Sequence, residues 1–101
     1  MKIKKEKTPR GFSIIKFEDL YGTKCSIQKS SLATEDAILI GIDDANPQIL
    51  ASKTQQGGTG WVPYDVPEDV LLCTKMHLTV KHVKQLLPIL KFFAEIGELP
   101  S

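Results

Sequence analysis

The sequence predicts an α+β fold, in which a small antiparallel sheet of three to four strands carries one C-terminal amphipathic helix packed on one face. Short apolar or alternating segments, separated by turn-forming residues, fill positions 12 to 78, and this pattern is typical of strands. The following segment, Val80–Ile96, repeats apolar residues at the i, i+3, i+4 and i+7 spacing of a helical face. A chain of 101 residues is predicted to hold one domain.

Residues 1–10 are interpreted as a basic, disordered tail that precedes a single α+β domain over residues 11–101. The tail contains five Lys or Arg residues and one Glu, a net charge of +4, and it has no apolar period. Because the whole chain carries +1, the remaining residues carry −3. A basic tail can contact phosphates, so nucleic-acid binding through residues 1–10 is one functional hypothesis.

Three segments after the tail are predicted to be strands. Residues 12–17 alternate with one shift of parity, and Lys24–Lys29 alternates after a turn at Gly22, so these two are expected to form a hairpin. Ala37–Ile42 is apolar without alternation, which is typical of a central strand covered on both faces. Since the helix would cover one face, a partner subunit is a candidate for the other, and we expect a homo-oligomer.

The C-terminal half combines a loop, a strand and the helix. Residues 48–60 are polar and glycine-rich, so they are predicted to be a mobile loop, and residues 70–78 are predicted to be the last strand. Thr79 suits the N-cap of the helix, and Gly97 suits a left-handed stop after it. Pro88 lacks an amide hydrogen, so we expect a kink there.

The cellular location follows from what the sequence lacks. Two cysteines, Cys25 and Cys73, are too few for a secreted disulfide scaffold. No apolar run approaches the ~18 residues of a membrane span, and the N-terminus lacks the apolar core of a signal peptide. A cytoplasmic protein with reduced thiols and no membrane partner is expected.

The reactive side chains do not form a recognisable catalytic or metal motif. Two cysteines and two histidines suit zinc in number, but Cys73 and His77 are four residues apart on a predicted strand, which separates their backbones by about 13 Å. The chain has no Gly-x-Ser-x-Gly segment and no glycine loop of the phosphate-binding type. The sequence therefore predicts no enzyme activity, no catalytic residue, no metal site and no cofactor.

Ligand binding is the hypothesis that the side-chain chemistry favours. Hydroxyl groups follow the second strand, cationic groups project from the last strand, and two aromatic residues lie on an extended segment. Hydroxyl and cationic groups bind phosphate, and aromatic rings stack on bases. The structural alternative is that the aromatic rings cover a small core, that the lysine is solvated and that the histidine bonds the backbone. The predicted ligand-binding residues are Ser30, Ser31, Thr34, Trp61, Tyr64, Lys75 and His77.

Two parts of the chain resemble a family of small proteins encoded by tailed phages and prophages. The first runs from position 25 to 38 as Cys-Ser-Ile-Gln-x-Ser-Ser-Leu-Ala-Thr-Glu-Asp-Ala-Ile, and the second starts with Met-His-Leu-Thr at position 76 and continues through a helix to Gly-Glu-Leu. The chain departs from the family at Leu39, which is commonly aromatic, and at Lys75, which is commonly arginine. At His82 the family usually has Gln or Glu, which completes a capping box.

The phage setting of this family implies counter-defence or host takeover in the cytoplasm of the host cell. Small phage proteins of this size are similar in scale to those that sequester cyclic nucleotide signals. We therefore expect a non-enzymatic protein that binds and sequesters a nucleotide-type immune signal. One alternative is a small inhibitor that docks on a host defence protein through residues 48–64. Nucleic-acid binding through the tail is a second alternative, although no second reading element accompanies it.

Overall fold

The computed structural model describes residues 1–101 and divides them into two compact units. The first unit contains Met1–Asp43 and Lys75–Ser101, and the second contains Asp44–Thr74. The single α+β domain predicted for residues 11–101 stays a prediction, and within that range residues 44–74 form contacts mainly among themselves. The elements in chain order are β1 Lys4–Lys7, β2 Ser13–Glu18, β3 Lys24–Lys29, β4 Ala37–Ile42, β5 Gln48–Leu50, β6 Trp61–Pro63, β7 Lys75–Thr79 and α1 Val80–Ile96.

The first unit is a five-stranded sheet of order β1-β2-β3-β4-β7, followed by the helix α1. All four strand pairs are antiparallel. The predicted α+β class, with an antiparallel sheet and one C-terminal helix, is confirmed. The sheet has one strand more than the three to four expected.

The additional strand is β1, which lies within the segment predicted to be a disordered tail. Lys4–Lys7 pairs along β2, with Lys4 opposite Lys16. Glu6 and Lys16 also form an ion pair of 3.5 Å. The prediction of disorder is wrong for these residues because an outer strand is held by backbone hydrogen bonds and needs no apolar side chains.

Strand alternation gives the sheet two faces of different character. We call one the polar face, and its central residues are Lys16, Ser26, Gln28, Lys75 and His77. We call the other the apolar face, and its apolar residues are Ile15, Phe17, Cys25, Ile27, Ile38, Ile40, Ile42, Met76 and Leu78. Cys25 is buried, Met76 is exposed and the others are half-buried, so the chain does not cover this face completely.

The helix begins and ends where the sequence predicts. The Thr79 hydroxyl accepts a hydrogen bond from the His82 amide at 3.3 Å, while His82 Nδ1 accepts one from the Thr79 amide at 3.0 Å. His82 thus completes a capping box with Thr79, in the position where Gln or Glu is more usual. Gly97 ends the helix with φ of 83°, and Pro88 lies inside a helix that continues without interruption from Val80 to Ile96.

The predicted packing of the helix across its own sheet does not occur. None of its 17 residues is buried. β7 ends at Thr79, α1 starts at Val80, and the contacts of the helix with the sheet are mainly with β7.

Residues 44–74 contain a two-stranded antiparallel sheet of β5 and β6. Residues 48–60, predicted to be a mobile loop, begin with β5 and a short 3₁₀ turn at Ala51–Lys53. The Ala51 side chain is buried, and its amide donates to the Gly60 carbonyl at 2.9 Å. Residues 70–74, predicted to begin the last strand, lie outside β7 and belong to this unit. No helix in the chain is long and apolar enough to cross a membrane.

Candidate functional site

At one end of the polar face, three side chains form hydrogen bonds with one another. The Lys75 ammonium donates to Asp43 Oδ1 at 2.6 Å and to Ser26 Oγ at 2.6 Å. The Ser26 hydroxyl donates in turn to Asp43 Oδ1 at 2.7 Å. We call these three residues the Lys75 cluster. Ser26 is almost fully buried, so the cluster is a structural element of the sheet.

The cluster can close because β4 has a glycine at the position between its members. Gly41 pairs with Ser26 on one side and with Lys75 on the other. Strands two places apart lie about 10 Å from each other, and a side chain at position 41 would stand between them. With only hydrogen at that position, the lysine side chain can cross β4 and reach Ser26.

The electrostatics of Asp43 reflect this arrangement. The hydrogen bond from Lys75, followed by the hydrogen bond from Ser26, lowers the pKa of Asp43 below its ordinary value. Asp43 is therefore a carboxylate near neutral pH, and its charge balances that of Lys75. The Lys75 ammonium already donates hydrogen bonds to Asp43 and Ser26 within the protein.

The other end of the polar face forms an open cavity of about 560 Å³. Its wall combines the turn between β1 and β2, the residues that follow β3, and side chains of β4 and β7. We call this space the Arg10 cavity. It is lined by Thr8, Pro9, Arg10, Phe12, Gln28, Lys29, Ser30, Ser31, Leu32, Leu39 and His77.

The turn between β1 and β2 places Arg10 at the cavity. The Thr8 amide donates to the Phe12 carbonyl at 2.8 Å, and the Phe12 amide donates to Thr8 Oγ1 at 3.0 Å. Gly11 has φ of 86°, a left-handed conformation that suits glycine in a tight turn. The Arg10 guanidinium lies 5.9 Å from the centre of the Phe12 ring, within cation–π distance.

The opposite wall is built by the end of β3 and by β7. The Ser30 amide donates to the Ala37 carbonyl at 2.9 Å, and Ser30 Oγ accepts from the Leu32 amide at 3.3 Å. This accepting role leaves the Ser30 hydroxyl hydrogen available to a ligand. His77 pairs with Leu39 across the β4–β7 ladder, which gives the cavity an apolar surface beside the imidazole.

The ionisable residues that line the cavity are all basic. Arg10, Lys29 and His77 line it, and no Asp or Glu does. The Lys29 ammonium forms an ion pair with Asp36 at 2.9 Å, which lowers the pKa of that carboxyl. Arg10 has no ion-pair partner, so its guanidinium can bind an anion.

The structure brings some of the predicted ligand-binding residues together and separates others. Ser30, Ser31 and His77 line the Arg10 cavity, while Thr34 lies exposed in the loop after β3 and outside the lining. Lys75 is on the same sheet face as His77, but its ammonium belongs to the Lys75 cluster. Ser30 and Lys75, both predicted to bind the ligand, therefore lie at different ends of the polar face.

The two predicted aromatic residues belong to the unit of residues 44–74. Trp61 is 64% exposed and lies opposite Leu50, which is also exposed. The Tyr64 amide donates to the Pro47 carbonyl at 3.0 Å. No group of three or more His, Cys, Asp or Glu residues could hold a metal ion.

Sequence reasoning missed Arg10 and Phe12 at the cavity. The signal was present, because Thr8-Pro9-Arg10-Gly11 combines the residue types of a tight turn and precedes an alternating strand. A hairpin turn at these residues joins β1 to β2 and so places Arg10 beside the sheet. The chain matches no protein family model, no curated protein sequence and no solved structure.

Proposed function

We propose that the protein binds a phosphate-bearing, nucleotide-type ligand in the Arg10 cavity and sequesters it without chemical turnover. The observation that carries this proposal is the one-sided lining, which offers an unpaired guanidinium, an imidazole and serine hydroxyls with no carboxylate. Donors of this kind are what a phosphate group requires. A volume of about 560 Å³ lies within the range of small-molecule sites.

Each part of such a ligand has a complementary region in the cavity. The guanidinium of Arg10 can bind two phosphate oxygens, and the Ser30 and Ser31 hydroxyls can donate to further oxygens. Phe12 and Leu39 supply apolar surface for a base. The lining contains no acidic residue, which favours binding over carboxylate-based catalysis.

The biological setting is part of the same proposal. The resemblance to small tailed-phage and prophage proteins supports a counter-defence role, in which the protein lowers the free concentration of a nucleotide immune signal in the host cytoplasm. Such a role requires tight binding and abundance, and it requires no reaction. A homo-oligomer would supply several such cavities in one particle.

Calorimetric titration against cyclic dinucleotides, cyclic oligonucleotides and cyclic ADP-ribose forms tests the proposal. We expect one of these classes to bind, and we expect Arg10→Ala to weaken that binding at least tenfold because a bidentate phosphate contact is lost. Lys2→Ala is the matched control, since Lys2 is also basic and N-terminal but does not line this cavity. No heat from any member of the panel, or equal losses in both variants, would contradict the proposal.

A second candidate is docking on a host protein through residues 44–74. The exposed pair of Trp61 and Leu50 favours it, because exposed tryptophan side chains are frequent anchors of protein interfaces. Trp61→Ala should then abolish capture of a host protein from lysate, whereas Arg10→Ala should leave capture unchanged. The reverse pattern would remove this candidate.

A further inference from the structure

We propose that two copies of the chain exchange their C-terminal helices, so that α1 of each copy lies on the apolar sheet face of the other. The inference does not depend on the ligand proposed above. It follows from two apolar surfaces of the same unit that do not cover each other. One is the apolar face of the sheet, and the other is the surface of α1.

The sheet lacks the second layer that a stable core requires. A folded domain buries one face of its sheet against another element, yet Cys25 is the one residue of the apolar face that is buried. In the whole chain the buried apolar residues are Cys25, Ala37 and Ala51. None of the isoleucines at the centre of the apolar face is buried.

The helix carries more apolar surface than a single contact needs. At 3.6 residues per turn, its apolar side chains cover about 240° of the circumference, whereas a helix on one core surface needs an arc of about 100°. Phe93 is 53% exposed and Leu90 is 61% exposed. The lysines are confined to the remaining strip, at Lys81, Lys84 and Lys91.

The exposed area of the chain is too large for an isolated protein. The total is 8710 Å², whereas a compact monomer of this mass exposes about 5,700 Å². Even two separate globules of the sizes of the two units would expose only about 6,800 Å². The excess is roughly 2,000 to 3,000 Å² per chain, or about 4,000 to 6,000 Å² for two chains, which is at the upper end of the total area that obligate homodimers bury.

A second copy of the chain is the partner that meets these requirements. It supplies an apolar helix for the sheet and an apolar sheet for the helix, in a reciprocal contact about a twofold axis. α1 follows β7 directly and none of its residues is buried within its own chain, so the helix is available to the sheet of a second copy. Where α1 leaves the sheet, Ile38, Leu78 and Val83 line an open apolar groove of about 310 Å³ that could receive partner side chains.

Light scattering coupled to size exclusion tests the assembly. We expect the wild-type chain to elute as a particle of twice its 11.2 kDa mass. Leu90→Glu should raise the dimer dissociation constant at least a hundredfold, because it buries a charge in the interface. Lys91→Glu, on the polar strip, should leave the dimer intact. A wild-type chain that is monomeric at micromolar concentration would overturn the proposal.

Cross-linking distinguishes exchange from other dimers. Two chains are prepared in a Cys25→Ala and Cys73→Ser background, one carrying Ile40→Cys on the sheet and the other Leu90→Cys on the helix. Because each chain has a single thiol, any disulfide between them must join two copies. Exchange predicts the mixed helix-to-sheet product as the main species after oxidation. Only sheet-to-sheet or helix-to-helix products would show that the dimer uses another contact.

Discussion

The two ends of the polar sheet face carry the same kinds of side chain in different arrangements. At one end Lys75, Ser26 and Asp43 bond to one another within 2.7 Å. At the other end Arg10, Ser30 and His77 surround a cavity that no carboxylate lines. The difference is that the ammonium at the first end is already bonded to a carboxylate, whereas the guanidinium at the second has no ion-pair partner.

The largest effect that this comparison predicts is on stability. Asp43→Ala removes the acceptor of both Lys75 and Ser26, and we expect the free energy of unfolding to fall by about 1–2 kcal/mol. Asp36→Ala removes the partner of Lys29 at an exposed position and should cause no measurable change. Urea denaturation at a fixed protein concentration measures both. Equal losses in the two variants would show that the Lys75 cluster is no more than a surface ion pair.

A smaller effect is expected on ligand affinity, which should depend on His77 at one end of the polar face and not on Lys75 at the other. His77→Ala should weaken binding of the nucleotide-type ligand about five- to tenfold, which corresponds to one lost polar contact of about 1 kcal/mol. Lys75→Met should change affinity by less than about twofold when variant and wild type are compared at the same concentration of folded protein. The reason is that the Lys75 ammonium of the wild type is already bonded to Asp43. Calorimetric titration compares the two. If Lys75→Met is the more damaging, the ligand uses the other end of the face.

The smallest effect is on the acid dependence of stability. The pKa of Asp43 is lowered in the folded chain, first by Lys75 and then by Ser26. The unfolded chain therefore binds a proton on this carboxyl more readily than the folded chain does. Its contribution is fully present above the ordinary aspartate pKa and is lost as the pH falls through the lowered value.

Asp43→Asn removes this titration and provides the control. The unfolding free energy of the wild type should decline more steeply below about pH 4 than that of the variant. Above that pH the two curves should run parallel. Parallel curves over the whole acid range would mean that the hydrogen bonds from Lys75 and Ser26 do not lower the pKa.

Local signals in the sequence predicted the local structure well. Lys24–Lys29 and Ala37–Ile42 are the strands expected from alternation and from a continuous apolar run. Val80–Ile96 has the predicted bounds, because Thr79 and Gly97 act within one turn of the chain. These features depend on neighbours in sequence, so the sequence alone was sufficient.

Features that depend on distant pairing were not predictable in the same way. β1 forms because β2 offers an unpaired edge, and the lysine-rich segment itself gives no sign of this. The position of Lys75 depends on Gly41, a residue whose pairing partners only the sheet register reveals. The lack of packing between the helix and its own sheet was also not predictable, because apolar periodicity identifies the apolar side of a helix but not the surface that covers it.

In the candidate site, too, some residues were predicted from the sequence and others were missed. Ser30, Ser31 and His77 were expected to act together and do line one cavity, because the antiparallel ladder brings the end of β3 close to β7. Arg10 was missed because it reaches the cavity through the β1–β2 turn.

The composition of β1 also limits how the sheet can grow. Its outer backbone groups are free to pair with another strand, and edges of that kind are templates for fibril formation. Three of its four residues are lysines, so the same strand of another molecule would bring like charges together. The chain therefore protects this edge by electrostatic repulsion, which favours a closed particle over an amyloid-like stack.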